Sequence, residues 1–370
     1  MHETSLYRRY HEAHQPGKDC RITSARNLLE MYGHRHSYAI VQGLAGSFFF
    51  TYRRAFSALD RLTFPDLDVT KYYWPVSGQR MEVLENLAYQ FNALLVMRSG
   101  QTSEEAERDL LEYLRQDVPV MVAVSRESLA RHFGKPYGYP PFLRNLHFGG
   151  HFITVVAAEE RRRVVAAFDT DHTEVLEVPF GVLAEARVDG GNKATCFMQS
   201  QNRWAVLIPG TSVPRLEQMC GSALVRIIHM FRSAEDDTQH IGGFRALNRF
   251  CDEVLSWNEL TARDPDLLRA TVYMLRMNSD LISGGSVGRR HFGMFVRRAA
   301  ELLRSRNLLA AAIAYAELTK LWNDLLDHIE RSVLGQRTIQ SLDVPAVRET
   351  LLSIRDREQS AMSRIERAMG

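Results

Sequence analysis

Three residues that together could support nucleophilic catalysis occur in the order Cys20, His151 and Asp169. Cys20 follows the turn-forming residues 15–19 and begins a helical pattern. We therefore expect its thiol at a helix N-terminus, where unpaired N–H groups and the helix dipole favour the nucleophilic thiolate. His151 follows two glycines and precedes an apolar strand, which would hold a general base rigidly at the edge of a cleft. Asp169 ends the next predicted strand, so a hairpin of the two strands would bring its carboxylate to the imidazole.

Each member of this group also has a purely structural interpretation. A cysteine at a helix start is more often a small buried side chain, and an Asp-Thr-Asp sequence after a strand is more often a turn. We prefer Asp169 to Asp171 because Asp169 directly ends the apolar run. His151 lies 131 positions after Cys20, within the spacing known for papain-like enzymes. Taken together, the three residues favour a Cys-His-Asp triad that acts through a covalent intermediate.

Other polar residues give weaker signals for a site. Gln15 is a candidate oxyanion-hole donor because it lies shortly before Cys20, as in papain-like enzymes, although a glutamine before a Pro-Gly turn needs no function. His147 and His151 are four apart, but the intervening Phe-Gly-Gly disfavours a shared helix, so we expect no metal site. No CxxC pair occurs among the four cysteines, which are Cys20, Cys196, Cys220 and Cys251. The pattern indicates neither a metal nor a cofactor.

The composition is that of an ordinary globular protein. The chain has 370 residues, 45% of them hydrophobic, and a net charge of +2, and its length is typical of two domains. No apolar run reaches the roughly 18–20 residues of a membrane span, and the N-terminal residues lack a signal peptide's apolar segment. The near-neutral charge gives no reason to expect nucleic-acid binding. We therefore expect a cytoplasmic protein with free thiols, bound to neither membrane nor nucleic acid.

The elements that would position these residues fall into two regions. Amphipathic periodicity predicts three early helices, over residues 20–32, 79–91 and 103–116. Short apolar runs predict four buried strands, over residues 118–124, 152–158, 163–168 and 203–208. Few helices lie between these strands, which favours the α+β class, and after Pro209-Gly210 the pattern is helical to the end. We predict an N-terminal α+β domain over 1–211 and an all-helical domain over 212–370.

Finer signals mark individual places along the chain. Thr102 and Glu105 have the spacing of a capping box, and Gly33 stands where a helix C-terminus is expected. The aromatic run Phe48-Phe49-Phe50 is compatible with the wall of an acyl pocket, but a buried core segment is favoured.

Several stretches resemble the family of butirosin biosynthesis protein H. Its N-terminal domain is matched by residues 19–52 (DCRITSARNLLEMYGHRHSYAIVQGLAGSFFFTY), by GGHFITVV and by the strand that ends in Asp169. The later SGGSVGRRHFGMFVRRAAELL, with Trp322 after a further helix, resembles the helical domain that commonly accompanies it. The resemblance covers most of the chain. It implies a papain-like, cysteine-peptidase-type N-terminal domain followed by an all-α domain.

The resemblance also implies an activity. It points to a cysteine-dependent acyltransferase that moves an acyl group from a carrier-protein thioester to an amine of a natural product. In that case Cys20 is the acyl-accepting nucleophile, His151 the base and Asp169 the residue that orients it. The implied partners are an acyl carrier protein or a similar thioester donor and a small-molecule amine. The family often has His directly before the Cys, whereas this chain has Asp19.

Two other functions remain compatible with the same residues. A thioesterase or peptidase-type hydrolase would use the triad with water in place of the amine. A non-catalytic binding protein would keep the fold and use the helical domain as a docking surface. The apolar helical faces after residue 212 are compatible with internal packing or with a homodimer.

Overall fold

The structure is a computed structural model. It describes residues 10, 12–54, 73–77, 82–134, 147–148, 150–188, 196–197, 200–232, 240–263, 265–277, 279–280, 285–335 and 342–370. By its contacts the chain forms two units, each built from more than one segment. The first contains Met1–Tyr38, Ala58–Asp66 and Leu84–Val213, and the second contains Ala39–Ser57, Leu67–Val83 and Pro214–Gly370. The second unit thus includes two segments from the region 1–211, and the division into domains 1–211 and 212–370 stays a prediction.

The chain combines a sheet-containing N-terminal region with a helical C-terminal region. Its helices are α1 (Cys20–Met31), α2 (Tyr38–Leu44), α3 (Val83–Gln90), α4 (Ser103–Arg115), α5 (Arg126–Phe133), α6 (Phe180–Arg187), α7 (Leu216–Arg232), α8 (Gly243–Glu253), α9 (Trp257–Arg263), α10 (Pro265–Met277), α11 (Arg289–Leu303), α12 (Arg306–Val333) and α13 (Val344–Met369). Its strands are β1 (Phe50–Arg54), β2 (Tyr73–Ser77), β3 (Leu94–Arg98), β4 (Val120–Val124), β5 (His147–Phe148), β6 (His151–Glu159), β7 (Val164–Phe168), β8 (Leu176–Pro179), β9 (Cys196–Phe197), β10 (Trp204–Ile208) and β11 (His240–Gly242). The predicted α+β class is confirmed. Within the described ranges, no helix has both the length and the apolar character that crossing a bilayer requires.

A six-stranded antiparallel sheet forms the centre of the first unit. Its strand order is β3-β10-β4-β6-β7-β8. The four strands predicted from apolar runs are confirmed as β4, β6, β7 and β10. Their apolar side chains, such as Val122, Ile153 and Val206, are fully buried in one cluster with helices α4 and α6. Strand β6 pairs with β4 from His151 onward and with β7 from Thr154 onward, so its start is anchored to the sheet.

Two of the predicted helix ends of the first unit are also confirmed. Gly33 follows the end of α1 with a φ of 84°, a left-handed conformation that glycine adopts without strain. Thr102 accepts a hydrogen bond from the Glu105 N–H at 3.2 Å, and the Glu105 carboxylate accepts one from the Thr102 N–H at 3.0 Å. This reciprocal pair is the predicted capping box.

The second unit packs its helices around aromatic side chains and a small sheet of order β11-β1-β2. Phe48 and Phe50 are at most 1% exposed, and the Phe48 ring stacks on Phe292 with centroids 3.8 Å apart. The aromatic run is therefore part of the core, as favoured from the sequence. A fully buried ion pair joins Arg289 to Glu358 at 2.8 Å, beside the rings of Phe48 and Phe50.

Candidate active site

Cys20 is the first residue of helix α1, as the sequence predicts. Asp19 precedes it as the N-cap, and its Oδ1 accepts hydrogen bonds from the N–H groups of Arg21 at 2.7 Å and Ile22 at 3.3 Å. Among the described residues, nothing accepts the N–H of Cys20 itself. The half-buried thiol therefore lies beside an open N–H donor at the positive end of a helix dipole.

Side chains of helix α1 form hydrogen bonds with the turn that precedes Cys20. Arg26, one of the buried residues of α1, donates from Nη2 to the backbone oxygens of Gln15 and Pro16. The exposed Gln15 side chain donates to Glu30 Oε1 at 3.4 Å. Gln15 thus lies close to the site along the chain, but its amide is directed to Glu30. Its role as an oxyanion donor stays a prediction.

Close packing fixes the second half of this turn. The backbone N–H of Asp19 donates to the Tyr38 hydroxyl at 3.1 Å. A Cβ on Gly17 would lie 2.0 Å from Thr23 Oγ1 and 3.2 Å from the Tyr38 ring, so no side chain fits there. The backbone that carries Cys20 is therefore held on both sides.

His151 and Asp169 form a buried hydrogen-bonded pair. His151 is the first residue of β6 and Asp169 directly follows β7, so the antiparallel pairing of these strands brings the two together. His151 Nε2 lies 2.7 Å from Asp169 Oδ1, and the side chains are 4% and 1% exposed. The Cys20 Sγ lies 3.9 Å from the oxygen of Gly150, the residue directly before His151, which places the thiol beside the imidazole. Because Asp169 uses Nε2, the nitrogen left for Cys20 is Nδ1.

The charges in this pair favour an imidazolium beside a carboxylate. Burial acts to lower the pKa of His151, but the charge and hydrogen bond of Asp169 outweigh it and raise the pKa to about 10, with Cys20 acting in the same direction. Burial acts to raise the pKa of Asp169, but the charge and hydrogen bond of His151 hold it well below its usual range. The protonated base is therefore stabilised where a thiolate would need a counter-ion.

Asp171, the alternative carboxylate, has a different partner. Arg126 donates to Asp171 Oδ2 from two nitrogens, at 2.7 and 3.1 Å. The structure thus brings Asp169, and not Asp171, into hydrogen-bonding contact with His151. His151, Asp169 and Asp171 do offer ligand atoms within 4.8 Å of one another, a spacing that a cation could use. The Arg126 guanidinium already supplies the positive charge at Asp171, which favours the hydrogen-bonded interpretation.

Sequence reasoning missed the residues that support the pair. His172 Nδ1 lies 3.4 Å from Asp169 Oδ2, on the side of the carboxylate away from His151. The His172 backbone oxygen contacts Nε2 of His14 at 2.7 Å, and the His14 ring stacks on Phe168. His172 stands in the same short DTDH sequence as Asp169, which was the available signal.

Two buried hydroxyls also connect α1 to β6. Ser24 Oγ donates to the Phe152 oxygen at 3.1 Å, and Thr154 Oγ1 donates to the Ser24 oxygen at 3.2 Å. Only the position of Ser24, four residues after Cys20, could have suggested this contact from the sequence.

The other cysteines do not share the environment of Cys20. Cys220 and Cys251 are fully buried, and burial raises their thiol pKa values to about 12 and about 11. A thiol with so high a pKa is a poor source of thiolate near neutral pH. The side chain of Cys196 lies outside the described residues.

Family models match both parts of the chain. Residues 19–170 match the family described as butirosin biosynthesis protein H, N-terminal, and this range contains Cys20, His151 and Asp169. Residues 182–365 match a family described as a domain of unknown function, DUF4872. No curated protein matches the chain significantly.

Proposed function

Since the chain belongs, through residues 19–170, to the family of the butirosin biosynthesis protein H N-terminal domain, we propose that it is an acyltransferase of natural-product biosynthesis. The observation that carries this proposal is the buried His151–Asp169 pair beside the Cys20 thiol. The order along the chain also supports a papain-like arrangement, with the cysteine at a helix start, the histidine at a strand start and the carboxylate after the next strand.

In the first step, the Cys20 sulfur, whose proton is already held by His151 as an imidazolium, attacks the carbonyl carbon of an acyl thioester. The Cys20 N–H, which has no acceptor among the described residues, is positioned to donate to the developing oxyanion. The carbon–sulfur bond to the donor then breaks. The imidazolium returns its proton to the departing sulfur, so the donor leaves as a thiol and the acyl group stays on Cys20. An acyl carrier protein, or another acyl-thioester donor, is the proposed partner.

In the second step, a small-molecule amine attacks the acyl group on Cys20. His151 accepts a proton from the amine, an amide bond forms and the bond to the Cys20 sulfur breaks. The Cys20 sulfur leaves as a thiolate and the proton stays on His151, which restores the starting ion pair. Asp169 keeps the imidazole oriented throughout and stabilises its charged form.

The experiment is an intact-mass measurement after incubation with an acyl-carrier-protein thioester and with the matching small thioester of N-acetylcysteamine. We expect a mass increase of one acyl group in the native protein and in a Cys220→Ala, Cys251→Ala variant. We expect none in Cys20→Ala. No adduct on the native protein, or an adduct that survives Cys20→Ala, would overturn the proposal.

Adding an amine separates transfer from hydrolysis. An acyltransferase discharges the adduct faster as the amine concentration rises and yields an amide. Release of free acid at a rate independent of the amine would instead identify a thioesterase or peptidase-type hydrolase that uses the same residues.

A further inference from the structure

The hydroxyls of Ser24 and Thr154 form a reciprocal contact between the element that carries Cys20 and the element that carries His151. Ser24 Oγ donates to strand β6 at the Phe152 oxygen, and Thr154 Oγ1 donates back to helix α1 at the Ser24 oxygen. The two residues are 2% and 0% exposed. We call this pair of hydrogen bonds the α1–β6 clamp.

The Ser24 hydroxyl does not form the hydrogen bond that is usual for a serine within a helix. A serine inside a helix commonly donates to the carbonyl four residues earlier, which for Ser24 is that of Cys20. Its hydroxyl is directed across to the strand instead. Burying a hydroxyl costs free energy unless it is hydrogen-bonded. Two small apolar side chains would pack these elements together without that cost. Hydrogen bonds add direction, which fixes how far the helix can slide or rotate on the strand.

The clamp also lies close to the reacting groups. Ser24 is one helical turn after Cys20, about 6 Å along the axis. Phe152 is the residue next to His151. Asp169 fixes the imidazole from its other side at 2.7 Å. The remaining freedom in the contact between Cys20 and His151 is thus the position of α1, which the clamp restrains.

We propose that Ser24 and Thr154 are positioning residues that hold the Cys20 thiol at the His151 imidazole. The inference rests on the proposed function, because it concerns the reactivity of the proposed nucleophile. A shift of α1 by a fraction of an ångström would lengthen the sulfur–nitrogen contact and weaken the pairing of thiolate with imidazolium.

The test measures the rate of Cys20 alkylation by iodoacetamide as a function of pH, with the modified residue located by peptide mass spectrometry. In the native protein we expect alkylation to persist on the acidic side of neutrality, because His151 supplies the counter-ion. Ser24→Ala and Thr154→Val each remove one hydrogen bond of the clamp. We expect their profiles to move by about one pH unit toward that of an ordinary thiol, a roughly tenfold lower rate near pH 6.

Two controls separate positioning from general destabilisation. Thr154→Ser keeps the hydroxyl and should keep the native profile. Ser200→Ala removes a fully buried hydroxyl of the same unit that donates to the Arg187 oxygen at 2.8 Å, and it should lower stability without moving the profile. The proposal is overturned if Thr154→Val keeps the native profile, if Ser200→Ala moves it equally, or if native Cys20 reacts as an ordinary thiol. A shifted profile in a protein that forms no acyl adduct would leave the clamp standing and reject the acyltransferase.

Discussion

Asp169 and Asp171 are chemically identical side chains two positions apart, yet they have different partners. Asp169 is buried against the His151 ring, whereas Asp171 is partly exposed and paired with Arg126. The sequence favoured Asp169 because it directly ends an apolar run. The geometry supports the same choice, because the Asp169 carboxylate contacts the imidazole. A carboxylate against the imidazole fixes which ring nitrogen carries a proton, and a carboxylate held by an arginine does not.

We therefore predict different effects for the two amide variants. Asp169→Asn removes the charge that stabilises the imidazolium and should slow acyl-adduct formation by roughly 10²–10⁴-fold. Asp171→Asn removes a partly exposed ion pair and should change the rate only slightly. Stopped incubations followed by intact mass give both rates. Similar rates for the two variants would contradict the assignment of Asp169.

The raised pKa of His151 predicts how stability depends on pH. Its value in the folded protein, about 10, lies above the ordinary 6.5, so its contribution is complete below pH 6.5 and decreases as the pH rises toward 10. The native protein should lose stability over this range, and Asp169→Asn, which lacks the charged partner, should lose less. Urea unfolding between about pH 6 and pH 9 measures both slopes. Equal slopes would show that Asp169 does not set the His151 titration.

At the scale of elements, the N-cap of helix α1 matters for the site because it lies next to the proposed nucleophile. Asp19 satisfies two N–H groups of the helix but also places a carboxylate next to the nucleophile. Burial raises the pKa of Asp19, against the opposing effects of Arg21 and of the two N–H groups. A capping group and a charge that opposes a thiolate are therefore combined in one side chain. The structure shows the carboxylate turned toward the helix as a cap.

This arrangement predicts that the hydrogen bonds of Asp19, and not its charge, stabilise the start of helix α1. Asp19→Asn keeps a strong capping side chain and should leave the free energy of unfolding nearly unchanged, whereas Asp19→Ala should lower it by about 1 kcal/mol. Urea unfolding at neutral pH measures both. An equal loss in the two variants would mean that the charge of Asp19 matters more to stability than its hydrogen bonds.

Elements defined by local patterns could be predicted, and elements defined by distant partners could not. The capping box at Thr102, the glycine stop at Gly33 and the central strands follow from nearby residues. The sheet β11-β1-β2 does not, because β1 pairs with residues 240–242, which lie far along the chain and outside the four predicted strands. Cys20, His151 and Asp169 could be singled out because each begins or ends an element. The supporting groups, Ser24 and Thr154 among them, are common residue types without a distinctive pattern.

At the scale of the whole molecule, the segments of the two units alternate along the N-terminal part of the chain. The segment Ala39–Ser57, which begins eight positions after the last residue of helix α1, belongs to the second unit. Phe48 packs there on Phe231, Phe292 and Tyr315, all of them beyond residue 213. A cut at the predicted boundary would therefore remove the partners of this aromatic run.

We predict that a fragment of residues 1–213 does not behave as an independent domain. Its buried aromatic side chains at 48–50 would lose their packing and be exposed, which favours aggregation. The same fragment with Phe48→Ser and Phe49→Ser should be more soluble, because it exposes less apolar surface. Size-exclusion chromatography of both fragments tests this. A monomeric, cooperatively folding 1–213 would contradict it.

The place of Ala39–Ser57 in the second unit also has a consequence for synthesis on the ribosome. Phe48 leaves the exit tunnel long before Phe292 and Tyr315 have been translated. At 5–20 residues per second, the delay is on the order of 10–50 s. During that time Ala39–Ser57 cannot pack against Phe292 and Tyr315, because these residues have not yet been synthesised. We expect chaperones that cover short aromatic stretches to protect such a nascent chain, and we expect slow translation after residue 57 to prolong the exposure.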